Sequence, residues 1–124
     1  MEAEVLSSIR EITISLSQFY VILKCFSKRG EYSIRKIRKK IKNLLKDIIP
    51  HDDFGRAYRV EFIQQNRKEL ALKFLLKCKG EVPILKIHTF CYTIVISVVN
   101  IRISGKGSEK SVYMQLKLDY IYGS

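Results

Sequence analysis

The sequence predicts an α+β domain: an antiparallel sheet with two helices packed on one of its faces. Three observations carry that expectation. Residues 33–49 place Ile34, Ile37, Ile41, Leu44, Leu45 and Ile48 at three- and four-residue spacing, the stripe of an amphipathic helix. Residues 58–62 alternate apolar with charged side chains, the period of a half-buried strand. Hydrophobic residues make up 47% of the 124, with Gly at 6 and Pro at 2, so the chain is an ordered globule and not a disordered basic tail. A single domain over residues 1–124, with its core at about 19–110, is expected. A chain of this size buries roughly two thirds of its unfolded surface without help from disulfides or metal.

In chain order, Val5, Leu6, Ile9 and Ile12 suit a helix, whereas Ile12, Ile14 and Leu16 alternate like a strand. Residues 2–17 are therefore expected to be a short helix running into a strand. Residues 19–26 are aromatic and β-branched, the composition of a strand, and 28–31 form a turn. The helix at 33–49 takes Ser33 as N-cap. It lacks a capping box because Lys36 stands three residues on, and it stops where Pro50 restricts its predecessor. Residues 58–62 and 70–76, joined by the polar 64–68, read as a hairpin. Val82, Leu85, His88/Thr89 and Tyr92 suit a second helix with Pro83 in its first turn. Residues 95–103 are a β-branched strand closed by a Gly turn at 104–108. A last alternation through Val112, Met114, Leu116, Leu118 and Tyr120 adds a strand that extends one sheet edge or leaves an apolar strip for another chain.

The core order is thus strand, helix, strand, strand, helix, strand, two βαβ-type halves with both helices on one face. The segments 1–17 and 111–124 are extensions to it. The free face would present Arg59, Lys73, Lys77 and Arg102.

Charge gives the one strong hint of a partner. The formal net charge is +11, with a pI near 9.7. Between Lys24 and Lys46 the chain carries ten Lys or Arg against a single acid, Glu31. On the helix, which would be ~25 Å long at 1.5 Å per residue, Arg35, Arg38, Lys39, Lys42 and Lys46 point away from the apolar stripe, with Lys36 and Lys40 at its borders. Like charges at this spacing weaken a helix by a few tenths of a kcal/mol each, and a merely solvated face would mix Glu with its Lys. The pattern favours nucleic acid over an anionic lipid surface. The candidate nucleic-acid contacts are Lys28, Arg29, Arg35, Lys36, Arg38, Lys39, Lys40, Lys42, Lys46, Lys106 and Lys110. The spacing at 104–108 is not that of a phosphate-binding loop. Phe62 and Phe74 alternate with charges, which puts them on the buried side. Recognition of the backbone of structured RNA therefore fits better than sequence-specific reading of single strands.

Other chemistries find little in the sequence. Cys25, Cys78 and Cys91 form no Cys-x-x-Cys pair and read as buried thiols. His51 and His88 do not complete a zinc set; His51-Asp52-Asp53 reads as a solvated turn and His88 as a core or boundary residue. Asp52, Asp53 and Asp119 have no convincing catalytic mate, so no catalytic residue, metal site or cofactor is assigned. Hydrolysis by the purified chain alone would favour an enzyme. The acidic start, Met-Glu-Ala-Glu, is unlike a signal peptide. The longest apolar run, residues 94–99, is too short to span a bilayer, so a cytoplasmic protein with no membrane partner is expected.

The element order, the basic amphipathic segment at 33–49 and the Ile103-Ser104-Gly105 turn together resemble the archaeal and eukaryal ribonuclease P protein component 2 family, over roughly residues 19–110. That resemblance implies a ferredoxin-like, RNA-recognition-like βαββαβ fold and a non-catalytic subunit of the endoribonuclease that removes tRNA 5′ leaders. The implied partners are ribonuclease P RNA, precursor tRNA and either ribonuclease P protein component 3 or a second copy; magnesium would be held by the RNA. The alternative is a small basic nucleic-acid-binding or regulatory protein, of viral origin for example, with the same fold class and no role in tRNA processing.

Overall fold

The computed structural model describes residues 4–26, 31–63 and 80–123. Its strands are β1 (Glu4–Ser15), β2 (Glu31–Ser33), β3 (Arg59–Phe62), β4 (Val82–His88), β5 (Tyr92–Ser104) and β6 (Ser111–Tyr122). Between them lie three helices, α1 (Leu16–Phe26), α2 (Lys39–Ile48) and α3 (His51–Arg56), with 3-10 turns at Ile34–Lys36 and Gly107–Glu109. All six strands join one antiparallel sheet in the order β1-β6-β5-β4-β3-β2. The α+β class and the antiparallel sheet are as the sequence predicts. The strand order is not that of two βαβ halves. From β2 to β6 each strand lies beside its sequence neighbour, and β1 returns to pair with β6.

Two segments exchange helix for strand. Residues 19–26, expected to be extended, belong to α1, which buries Phe19, Ile22, Leu23 and Cys25 and exposes Tyr20 and Lys24. Its start is fixed by a reciprocal cap. The Gln18 N–H donates to Ser15 Oγ at 3.2 Å and the Ser15 N–H to Gln18 Oε1 at 2.9 Å, a capping box that outweighs the β-propensity of the residues after it. Conversely, residues 82–92 are no helix. They form β4, a turn and the start of β5. A register shift between Pro83 and Leu85 inserts an extra residue, so Val82, Ile84, Leu85 and Ile87 are all buried. A bulge breaks the strict period of two and leaves a spacing that imitates a helix.

The helix expected over 33–49 is split. Ile34–Lys36 is a 3-10 turn, Ile37 and Arg38 are extended, and α2 starts only at Lys39. Neither Ser33 nor Arg38 supplies a side-chain cap, and no acid stands in the first turn. A run of cations at the positive end of a helix dipole opposes helix there. At the other end Ile49 turns extended before Pro50, as expected, and α3 follows at once with Asp52 and Asp53 in its first turn.

The terminal segments are not extensions. β6 is paired along its whole length to β1 on one side and β5 on the other, and its Val112, Met114, Leu116 and Leu118 are fully buried. Residues 1–17 contribute β1 without a preceding helix among the described residues. The core lies between the sheet and the α1–α2 layer, where these side chains meet Ile22, Leu45, Ile48, Leu85, Ile94 and Ile96. Of the expected hairpin, 58–62 corresponds to β3, flanked by β2 and β4. Its second run, 70–76, lies outside the described residues, as do Lys28, Arg29, Lys73, Phe74, Lys77 and Cys78.

Candidate nucleic-acid interface

α2 buries Leu44, Leu45 and Ile48 beneath it. Arg10 on β1 ties its end to the sheet by donating from Nη2 to the Asp47 carbonyl at 3.1 Å, one of the carbonyls a helix C-terminus leaves unsatisfied. With that face fixed, Arg35, Lys36, Arg38, Lys39, Lys40 and Lys46 are exposed and Lys42 is half-buried. Among the described residues none of these seven joins an ion pair. Lys46 Nζ instead lies 5.8 Å from the centre of the Phe54 ring on α3. The structure thus gathers seven of the candidate contacts onto the 34–36 turn, Arg38 and α2.

Lys106 and Lys110 are exposed too, on a different element, the β5–β6 connection beside the first turn of α1, where the Leu16 N–H donates to the Lys110 carbonyl at 3.3 Å. Gly105 has φ +102°, and a Cβ there would sit 2.6 Å from the Glu109 carbonyl oxygen. This Gly turn is set by backbone packing.

The open sheet face treats charge in the opposite way. Arg59 and Arg102 do lie on it, but among acids. Lys117 Nζ sits 2.8 Å from Glu81 and 3.8 Å from Asp119, and His88 Nε2 lies 3.4 Å from Glu61. Arg102 lies 4.5 Å from the centre of the Tyr113 ring, whose hydroxyl is pushed above its ordinary pKa first by a hydrogen bond to Glu11. The Lys117 ammonium is likewise raised, chiefly by Glu81. His88 is a half-buried boundary residue.

Asp53, expected in a solvated turn, is buried on α3. It accepts hydrogen bonds from the hydroxyls of Tyr92 and Tyr120, the latter at 2.6 Å. Burial first, and then the bond to Asp53, raises the pKa of both phenols. Arg56 in turn bonds the Tyr92 hydroxyl, which raises its own pKa. The cluster pins α3 against the ends of β5 and β6 and places Arg56, outside the candidate set, beside the cleft. That cleft, of about 320 Å³ between α2 and α3, is lined by Lys46, His51, Asp52, Phe54, Gly55 and Arg56. The sequence also gave no sign that Tyr58 and Phe90 would stack on one another at the surface, because Phe90 fell inside the supposed second helix. Cys25 is buried as expected, whereas Cys91 is exposed.

Comparison with known proteins finds no matching family model, no matching curated protein and no matching solved structure. Among the described residues no helix is long and apolar enough to cross a membrane, and no three His, Cys, Asp or Glu side chains stand together as metal ligands.

Proposed function

We propose that this chain is a nucleic-acid-binding protein that holds phosphates on the 34–36 turn and α2. One observation carries the reading: seven cations on the continuous segment 35–46 with no ion-pair partner among the described residues. Unpaired cations held off an apolar stripe lose only counterions when they meet a polyanion, and counterion release dominates such affinity. Replacing Arg35, Arg38, Lys39 and Lys42 with Glu tests it. Binding to RNA at physiological salt should be lost while the circular dichroism spectrum is unchanged; binding retained would remove α2 from consideration.

Two specific forms of this reading differ in their biology. In one, the protein is a non-catalytic ribonuclease P subunit working with the RNA, its magnesium ions and protein component 3. The basic amphipathic segment and the turn at 103–105 support it. In the other, it is a small basic nucleic-acid-binding protein with no part in tRNA processing, and the sequential strand order favours this one. A magnesium titration separates them. Adding the protein to ribonuclease P RNA and the remaining subunits should raise precursor-tRNA cleavage at low magnesium in the first case, and leave the rate unchanged in the second.

The surface for a protein partner is β1, not β6. β1 is one of the two edge strands, β2 being the other, and Val5, Leu6 and Ile9 on it are each more than half exposed. A second copy is the occupant that fits. Antiparallel pairing of two β1 strands about Ser7 keeps the sheet faces in register. It sets Val5 opposite Ile9 and Glu4 opposite Arg10 of the second copy.

A further inference from the structure

At one end of the sheet the turn between β4 and β5 projects Phe90, which is 88% exposed. The ring is not loose. It stacks on Tyr58 with centres 4.7 Å apart and planes 23° from parallel, which leaves its outer face bare. Thr89 is buried and holds the turn beneath it. The Thr89 hydroxyl donates to the Tyr92 carbonyl at 2.8 Å and accepts from the N–H groups of Cys91 at 3.3 Å and Tyr92 at 3.0 Å. The Tyr58 N–H donates to the His88 carbonyl at 3.0 Å, which fixes the lower ring to the same turn. The aromatic surface is therefore preorganised, and its ordering is complete before any ligand arrives.

Its surroundings are cationic. The Arg59 guanidinium lies 5.7 Å from the centre of the Tyr58 ring, and Arg56 ends the helix two residues before Tyr58. Tyr58 shares its strand parity with Val60 and Phe62, whose side chains face the helix layer. The rings therefore stand on the side of the sheet that carries α2, and Lys46 near the end of α2 reaches α3, the helix that leads into Tyr58.

We infer that the Tyr58–Phe90 stack is a platform for one unpaired nucleobase, with Arg56 and Lys46, on the helix side of the sheet, as the cations for its flanking phosphates. This inference rests on the nucleic-acid reading above and adds a second kind of contact to it. A ring with a free face flanked by cations is how single-stranded nucleic acid is held without reading its sequence. A protein partner fits less well. Among the described residues the other large exposed apolar side chains, Val5, Leu6, Ile9, Tyr20, Val99 and Ile103, lie on β1, α1 and the second half of β5, so among these residues the two rings have no apolar surround of the size a stable protein interface needs.

The test uses the full chain, a fluorescein-labelled oligouridine and an RNA duplex of matched length. Phe90→Ala should weaken oligouridine binding about 10-fold, the scale of one base stacked on one ring. It should leave duplex binding and the salt dependence of both unchanged, since no phosphate contact is lost. The sequence contains no Trp, so Phe90→Trp reports on this position alone; it should restore the affinity, and its emission should be quenched by oligouridine. Wild-type affinity for oligouridine in Phe90→Ala, or Trp emission unchanged at saturation, would overturn the platform while leaving the α2 interface standing. Loss of binding to both probes in Phe90→Ala would overturn it too, because the ring would then support the whole surface. If the wild-type chain binds neither probe, the nucleic-acid reading and the platform fall together.

Discussion

The helix layer and the open face of the sheet carry many charges each and dispose of them differently. On α2 and the segment before it, cation follows cation, and although Asp47 stands on the same helix none of the seven joins an ion pair among the described residues. Across the open face Glu11, Glu61, Glu81 and Asp119 stand among Arg59, Lys86, Arg102 and Lys117, and the contacts are short: Lys117 to Glu81 at 2.8 Å, His88 to Glu61 at 3.4 Å. A charge already paired must give up its partner to bind a phosphate, whereas an unpaired one gives up only counterions. The lesson is that an exposed basic residue is a poor guide to function until its neighbours are known. Arg59 and Arg102 looked as available in the sequence as Arg35 and Arg38.

The change that should break both faces at once is removal of residues 112–124. β6 is the strand on which the two faces are back to back, with Met114, Leu116 and Leu118 toward the helices and Lys117 and Asp119 toward solvent. Its loss separates β1 from β5. The truncated chain should be unfolded by circular dichroism rather than merely unable to find a partner, and Leu116→Ala alone should cost about 2–5 kcal/mol in urea denaturation.

Next in size is the effect of charge on binding. Single replacements of Arg35, Arg38, Lys39 or Lys42 by Gln should each lower the slope of log affinity against log salt by about 0.7–0.9 for every phosphate contact removed. Lys117→Gln on the open face should leave that slope as it was. Equal slopes across both sets would erase the distinction between the faces.

Ile9→Lys should leave the melting curve nearly unchanged, because Ile9 is 55% exposed. In light scattering it should abolish self-association at concentrations where the wild type pairs. A wild type that stays monomeric at every concentration would show that the β1 edge is not a self-association surface.

The smallest effect concerns pH. Tyr92 and Tyr120 have pKa values raised above the ordinary value of about 10 by burial and by Asp53. The folded state therefore keeps protons that the unfolded state releases. The stability these phenols contribute is fully present below about pH 10 and is lost as pH rises through their raised folded values. Urea midpoints should fall on alkaline titration, and fall less in Tyr120→Phe; parallel curves would show that the cluster does not titrate with unfolding.

Much of the fold was legible in single segments. Strands β5 and β6, the apolar stripe through Leu44, Leu45 and Ile48, and the stop at Pro50 all follow from local pattern. Ser15-Leu-Ser-Gln18 is a capping signal present in the sequence but overshadowed by the aromatic, β-branched residues after it. The bulge at Pro83–Leu85 left no such signal, because an inserted residue shows only against the strand it is paired with.

By itself the sequence determined the α+β class, the amphipathic periods and the excess of cations between Lys24 and Lys46, since each depends on spacing along the chain. Only the tertiary structure decided which strand became the edge, that Asp53 is buried beneath two phenols, that Phe90 rests on Tyr58 and which cations stay unpaired. The physical reason is that pairing, burial and charge compensation are set by neighbours far apart in the chain: Lys117 meets Glu81, Tyr120 meets Asp53 and Tyr58 meets Phe90 only once the sheet has formed.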